Sequence, residues 1–240
     1  MKLRSSIALA ICLFVLILNA AGQSTESAML PVGSATLADF GSELSLHGPD
    51  GAVLDPVRGM TLEPESVIDT GKNTALLNLQ DGSQVLVKSH SHVVLKSPSA
   101  GSGYSLELTL GKVIAKVKKR LSNSPSFKMG TPTAVITVRG TRFAVEVDKK
   151  QRTRVEVYEG LVEVQGIGAT LGSVMLKPGY LTHVQANRAP ERPQESMERE
   201  GSGLGPAGSI GEGRGEQSGR SGGQESGEHD SGSERESEPH

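Results

Sequence analysis

Residues 131–147 read TPTAVITVRGTRFAVEV and form the densest run of β-branched and apolar residues after the N-terminus. Apolar side chains recur at every second position of this stretch, at Ala134, Ile136, Val138 and again at Phe143, Val145, Val147. An alternation with a period of two predicts a half-buried strand. A single glycine inside such a run, here Gly140, predicts a β-bulge or a close backbone approach. The stretch therefore predicts a β core, with Phe143 as its apolar anchor.

The same kind of pattern continues over residues 43–184, where short apolar runs are separated by turn sequences. The clearest turns are Gly48-Pro49-Asp50-Gly51 and Asp81-Gly82. An Asp-Gly pair between alternating apolar runs is a strong hairpin signal. No helix is predicted beyond the N-terminal segment. The pattern predicts an all-β domain over residues 43–187, a single β-sandwich or β-roll of short antiparallel strands.

The N-terminus has the three-part layout of a secretory signal peptide. Lys2 and Arg4 precede an apolar run of twelve residues, 7–18, and small residues follow it. A spanning helix needs about 20 apolar residues, so a signal peptide over residues 1–22 is favoured over an uncleaved membrane anchor. We therefore predict a periplasmic or extracellular protein with no transmembrane segment after cleavage. Cys12, the single cysteine, would leave with this peptide, so no disulfide is expected.

The net charge of −2 conceals three regions of different sign. Residues 23–69 carry one basic and eight acidic side chains, residues 70–154 carry fifteen and four, and residues 190–240 carry five and twelve. Residues 23–42 are interpreted as a leader of uncertain order. Residues 188–240 are rich in Gly, Ser and Glu and lack apolar residues to bury, which predicts a disordered acidic tail.

A basic ridge, defined here as Lys112, Lys116, Lys118, Lys119 and Arg120, is the sharpest concentration of positive charge. Like charges in a row repel one another unless an anionic partner relieves them. An envelope protein, an anionic envelope polymer, lipid headgroups or the acidic tail would meet that need. The alternative is a solvated edge strand that its lysines protect from aggregation. Nucleic acid is not expected, because the ridge lacks interleaved aromatic residues for base stacking.

Catalytic and metal-binding patterns are not found in the sequence. It contains no G-x-S-x-G, no phosphate-binding glycine loop and no H-E-x-x-H. His90 and His92 have a spacing that suits two metal ligands on a strand, but no third ligand is identifiable. We therefore expect neither an enzyme, nor a cofactor, nor a metal site.

Several short blocks, in order, resemble the FecR domain family. They are residues 67–71 (VIDTG), 77–83 (LNLQDGS), 108–113 (LTLGKV), 131–134 (TPTA), 138–145 (VRGTRFAV) and 157–164 (VYEGLVEV). The block R-G-T-x-F-x-V is the most specific of them. The resemblance implies an extracytoplasmic β-rich domain. In the founding type of the family, that domain relays ligand occupancy of an outer-membrane transporter to a cytoplasmic sigma factor.

Three functions are considered, and the first two follow from this resemblance. The first is an exported, non-enzymatic binding or scaffolding module of the bacterial cell envelope, because a signal peptide stands where a signaling member would carry a cytoplasmic segment and a membrane helix. The alternative is a periplasmic regulator in a FecR-type sigma-factor pathway, and a polysaccharide-active enzyme is a weaker third idea.

Within the central block, Arg139, Gly140, Thr141 and Phe143 are expected to be structural, and a recognition role for Arg139 or Arg142 is the alternative. The ligand and the oligomeric state are not predicted.

Overall fold

The fold is built from strands alone in the computed structural model, which describes residues 31–98, 103–119, 127–168 and 172–196. These residues contain no helix, so the predicted all-β class is confirmed. The described residues form seventeen strands: β1 (Ala35–Phe40), β2 (Leu44–His47), β3 (Val53–Leu54), β4 (Thr61–Leu62), β5 (Val67–Thr70), β6 (Ala75–Leu79), β7 (Gln84–Val87), β8 (His92–Lys96), β9 (Tyr104–Lys116), β10 (Phe127–Gly130), β11 (Ala134–Val138), β12 (Arg142–Val147), β13 (Thr153–Glu159), β14 (Val162–Gly166), β15 (Ser173–Leu176), β16 (Tyr180–Val184) and β17 (Gln194–Glu195).

Several predictions concern residues that lie outside the described ones. The signal peptide at 1–22, the leader up to residue 30, Arg120 of the basic ridge and the tail beyond Ser196 are among them. In the part of the chain that the structure describes, no helix is long and apolar enough to cross a membrane.

The strands pair in two layers that share the long strand β9. Sheet 1 has the order β4-β1-β6-β7-β9-β12-β13-β16-β17. Sheet 2 has the order β3-β2-β5-β8-β9-β10-β11-β14-β15. Among these described pairings, only that of β9 with β10 is parallel. The chain therefore alternates between two layers, as a sandwich requires.

Strand β9 passes from sheet 2 to sheet 1 at Gly111. Its first half pairs with β8 and β10, and its second half pairs with β7 and β12. Gly111 has a φ of 94°, and a β-carbon there would lie 2.5 Å from the α-carbon of Ser91. Both the positive φ and the close backbone require a glycine at this bend.

The core lies between the two layers and belongs to both. It contains large side chains that are 1% exposed or less, such as Leu37, Val85 and Val145 from sheet 1 and Leu46, Leu106 and Ile136 from sheet 2. The alternating burial of β11 follows the predicted alternation, with Ala134, Ile136 and Val138 inside. Burying such a side chain stabilises a fold by about 1.5–3 kcal/mol. This shared interior holds the two sheets face to face.

Of the two alternatives predicted for Gly140, the bulge within a single strand is wrong and the close backbone approach is confirmed, because a β-carbon there would lie 2.5 Å from the α-carbon of Lys119. Strand β11 ends in sheet 2 and β12 begins in sheet 1, and residues 139–141 form the corner between them. Gly140 has a φ of 91°, which turns the chain from one layer to the other. The register irregularity of this region lies slightly later, between Arg142 and Phe143 against β13.

The ends of the described domain differ from the predicted boundaries. Strand β1 lies within the range interpreted as a leader, pairs with β4 and β6, and buries Leu37 completely. At the other end, β17 lies within the predicted disordered tail and pairs with β16. The domain of the described residues therefore includes β1 and continues to Ser196.

Candidate functional site

Two sheet-crossing corners lie side by side at one end of the sandwich. Residues 139–141 carry the chain from β11 to β12, and residues 159–161 carry it back from β13 to β14. A β-carbon on Gly160 would lie 2.8 Å from the carbonyl oxygen of Gly140, and one on Gly140 would lie 2.5 Å from the α-carbon of Lys119. Both glycines have positive φ values, 84° and 91°. The corners and the end of β9 therefore pack backbone against backbone, which only glycines allow here.

A cleft of about 530 Å³ opens beside these corners on the outer face of sheet 2. Its lining includes Lys119, Arg139, Leu161, Glu163 and Met175. Strand pairing explains how they meet, because Glu163 of β14 lies opposite Met175 of β15. Leu161 and Met175 are 48% and 50% exposed, so both present apolar surface to the cleft. The cleft thus combines an apolar surface with two cations and one carboxylate, and suits a ligand that is partly apolar and partly anionic.

Arg139 and Arg142 of the central block have different environments. Arg142 Nε lies 3.2 Å from Glu159 Oε1, and its guanidinium stands 5.4 Å from the ring centroid of Tyr158. Arg139 is exposed and lines the cleft. Among the described residues, no hydrogen bond holds the Arg139 side chain, although a structural role was expected for this residue. Of the two recognition candidates, the structure brings Arg139 to a surface where a partner could reach it.

Thr141 and Phe143, which are also predicted to be structural, are buried. Thr141 is 4% exposed at the corner. Phe143 is fully buried and contacts Phe127 of sheet 2 with its ring centroid 6.1 Å away and the planes at 71°. This edge-to-face contact joins the two layers directly beneath the corner.

The basic ridge does not form one continuous surface. Strand β9 lies between β7 and β12 over residues 113–116, so the alternative of a solvated edge strand is wrong. Lys112 Nζ lies 3.6 Å from Glu146 Oε2. Lys116 stands opposite Arg142 on the outer face of sheet 1, whereas Lys118 is exposed next to the Gly82 turn. Lys119 lines the cleft together with Arg139. It is therefore the residue through which the basic ridge meets the central block.

His90 and His92, the two residues with a spacing that suits metal ligands, have different environments in the structure. His92 Nδ1 lies 2.5 Å from Asp69 Oδ1, and His90 occupies a turn with a φ of 55°. The described ranges contain no group of three or more His, Cys, Asp or Glu side chains that could hold a metal ion.

The sequence around Leu161 and Met175 carries a signal for the cleft. Leu161 and Met175 alternate with the buried residues Val162 and Leu176, so each shares its strand face with polar neighbours. An apolar residue on the polar side of an alternation is expected to be exposed. What the sequence could not indicate is that these two faces adjoin Arg139.

Comparisons with known proteins agree with the sequence motifs. Residues 66–163 match the model of the family described as FecR protein. Two crystal structures of a protein from Parabacteroides distasonis ATCC 8503, assigned as an anti-sigma factor, are similar with TM-scores of 0.46 and 0.45 and identities of 19% and 18%. The similarity covers 54% of this chain and 59% of the other chain in both cases. No curated protein matches the chain. Residues 66–163, which include both corners, are thus the part of this chain that matches the FecR family.

Proposed function

We propose that this chain is an exported FecR-domain regulator that controls a sigma-factor pathway through protein contacts rather than catalysis. The observation that carries the proposal is the match of residues 66–163 to the FecR family. The founding type of that family links an event outside the cytoplasm to a sigma factor. The signal-peptide layout of residues 1–22 supports a location in the periplasm or outside the cell.

A regulator of this kind needs an accessible surface for a partner, and the cleft has the required properties. Arginine and methionine are enriched in protein interfaces, and arginine is frequent among the residues that dominate binding energy. Arg139 and Met175 supply these side chains, with Leu161 between their strands. The corner glycine Gly140 follows Arg139 directly, so the central block positions the arginine at the cleft. We therefore take the cleft as the contact surface of the regulator.

Transcript profiling in the source bacterium tests the regulatory role. Deleting the gene is expected to change the transcripts of promoters that depend on one sigma factor, and the full chain should restore them. Arg139→Glu should fail to restore them although the protein is present at its normal level. Arg188→Glu is the matched control, because Arg188 is also exposed but does not line the cleft. Identical profiles in the deletion strain and its parent would contradict the proposal.

A second candidate function is a binding or scaffolding module of the envelope that contacts an envelope protein or an anionic polymer. It is favoured by the excess of basic residues between 70 and 154 and by the exposed side chains of Lys118 and Lys119. Pull-down from an envelope extract should lose its partners when Lys116, Lys118 and Lys119 are replaced by glutamate. Unchanged partners would remove the basic ridge from this function.

Export has its own test. N-terminal sequencing of the protein recovered from the periplasm or the medium is expected to begin at Gln23. A chain that retains Met1 and sediments with membranes would instead support the uncleaved anchor.

A further inference from the structure

Strand β15 forms one edge of sheet 2 within the described part of the chain. It pairs with β14 on one side, and no described strand pairs with its other side. Ser173 and Met175 are exposed, whereas Leu176 is fully buried. An edge strand presents unpaired backbone N–H and C=O groups that can pair with another strand.

The pairing with β14 shows which backbone groups face the open edge. In an antiparallel pair, directly opposed residues alternate between hydrogen-bonded and non-hydrogen-bonded positions. Gly166 N–H donates to Gly172 C=O over 3.4 Å, so the next hydrogen-bonded positions are Val174 and Leu176. The N–H and C=O groups of Ser173 and Met175 therefore point away from β14, toward the open edge.

The side chains near this edge indicate what kind of strand it would accept. Met175 is half exposed beside Leu161, which offers an apolar contact to an added strand. Lys119 and Arg139 line the same cleft, and the exposed Lys177 directly follows β15. Glu163 is the one acidic side chain in the described lining. The positive excess around the edge favours a partner that carries carboxylates.

From this geometry we infer that β15 accepts an extended, acidic segment of a partner protein as an additional strand of sheet 2. Backbone pairing with Ser173 and Met175 supplies the affinity, and alternate side chains of the segment contact Met175 and the cations of the cleft. A second copy of this chain is a poorer occupant, because edge-to-edge pairing would bring two positively charged clefts together. The inference rests on the proposed function only in taking the partner to be a protein.

Hydrogen exchange of the full chain, followed residue by residue by NMR, tests the edge directly. The probe is a blocked synthetic peptide of alternating valine and glutamate, and the charge control is its valine and lysine counterpart. The acidic peptide should slow exchange of the Ser173 and Met175 amides by roughly tenfold at saturation, the factor that one protected hydrogen bond implies. The amides of Val174 and Leu176, already bonded to β14, should not change. Absence of protection by the acidic peptide would overturn the inference.

Variants at the two edges of sheet 2 separate backbone pairing from general effects. Met175→Pro removes an N–H that β14 does not use and should weaken peptide binding by roughly tenfold. Met175→Glu, which keeps the backbone intact and places a negative charge on the edge, should also weaken binding of the acidic peptide. Val53→Pro is the matched control on β3, the opposite edge, where Val53 is 73% exposed between the acidic Asp50 and Asp55. Equal loss of binding from both edges would overturn the assignment to β15.

The remaining outcomes are also decisive. Protection of Ser173 and Met175 that grows with protein concentration, without peptide, would make a second copy the occupant and overturn the inference. Peptide binding at β15 together with unchanged transcripts in the deletion strain would retain the edge site and contradict the regulatory function instead.

Discussion

A β-carbon on Gly140 would lie 2.5 Å from the α-carbon of Lys119. The two residues are held together because Val117 N–H donates to Thr141 C=O over 2.8 Å, which prolongs the pairing of β9 with β12 beyond the strand ends. As a result, Lys119 and the residue before Gly140, Arg139, reach the same cleft. The specific glycine of the central block thus determines where two cations of the candidate site stand.

Gly140→Ala is expected to destabilise the fold by about 2–4 kcal/mol, since it adds a backbone clash to an unfavourable φ. Urea denaturation should show a lower midpoint with the same slope. The substitution should also shift Lys119 and Arg139, so an acidic peptide should bind more weakly at the cleft.

Gly179→Ala is the matched control for that prediction. Gly179 has a φ of 80°, but a β-carbon there would meet nothing within 4 Å. Its destabilisation should therefore reflect φ alone, at about 1 kcal/mol. An equal effect of the two substitutions would show that Lys119 moves aside without resistance.

Phe143→Ala should destabilise the fold by about 3–5 kcal/mol, because it empties a fully buried site between the two sheets. The edge-to-face contact with Phe127 should appear as a coupling energy of about 0.5–1.5 kcal/mol in a double-mutant cycle. Phe143→Leu and Phe127→Leu are suitable partners for that cycle, since they keep most of the volume. Strict additivity would contradict a specific contact between the rings.

Thr153→Val should destabilise the fold by about 1–3 kcal/mol although it changes volume little. The Thr153 hydroxyl lies 2.8 Å from that of Thr131 and 2.7 Å from that of Thr133, all three in the buried interior. Valine at position 153 would leave the buried hydroxyls of Thr131 and Thr133 each with one hydrogen-bond partner fewer. Thr109→Val on the half-buried face of β9 is the control, and its effect should stay within about 0.5 kcal/mol. Thermal unfolding of both variants measures the difference.

Glu65→Gln should produce a stability loss that depends on pH. Glu65 Oε2 lies 2.5 Å from Lys96 Nζ, and this contact, with a hydrogen bond from the Ser97 N–H, lowers the pKa of the Glu65 carboxyl. The same partner raises the pKa of Lys96. Because both side chains are about 40% exposed, the pair should contribute only about 0.2–1 kcal/mol at neutral pH.

The sign of this dependence follows from the two shifts. The lowered pKa of Glu65 stabilises the fold above the carboxyl's ordinary value of 4.5, and this stabilisation is lost as pH falls through the folded-state value. The raised pKa of Lys96 stabilises it below 10.5, and that part is lost as pH rises through the folded-state value. The difference in the free energy of unfolding between wild type and Glu65→Gln should thus be largest at pH values between 4.5 and 10.5. Glu63→Gln, at an exposed neighbouring carboxylate, is the matched control variant.

Local sequence predicted the strands well where alternation and turn residues agreed. The hairpins at Gly51 and Gly82 are present, because their glycines adopt the positive φ that such turns need. Alternation also identified which side chains of β11 and β12 are buried. It could not reveal β1, whose residues Ala38 and Asp39 interrupt the pattern at a register shift against β6.

The candidate site was predicted only in fragments. Arg139 and Lys119 were each identified, from the central block and from the basic ridge. Their proximity was not predictable, because they lie on separate strands that meet through β12 and the corner at Gly140. The open backbone groups of Ser173 and Met175 likewise depend on β15 being an edge strand of the described sheet, which local sequence does not indicate.

The sequence by itself determined the β class, the turns and the match of residues 66–163 to the FecR family, because these follow from local alternation, glycine chemistry and ordered motifs. Tertiary structure alone decided that residues 131–147 divide between two sheets at Gly140. Only the packing of layers distinguishes a bulge within one sheet from a corner between two, since both place a positive-φ glycine between the same apolar runs. The same packing decided that Arg139, Lys119 and the β15 edge share one surface.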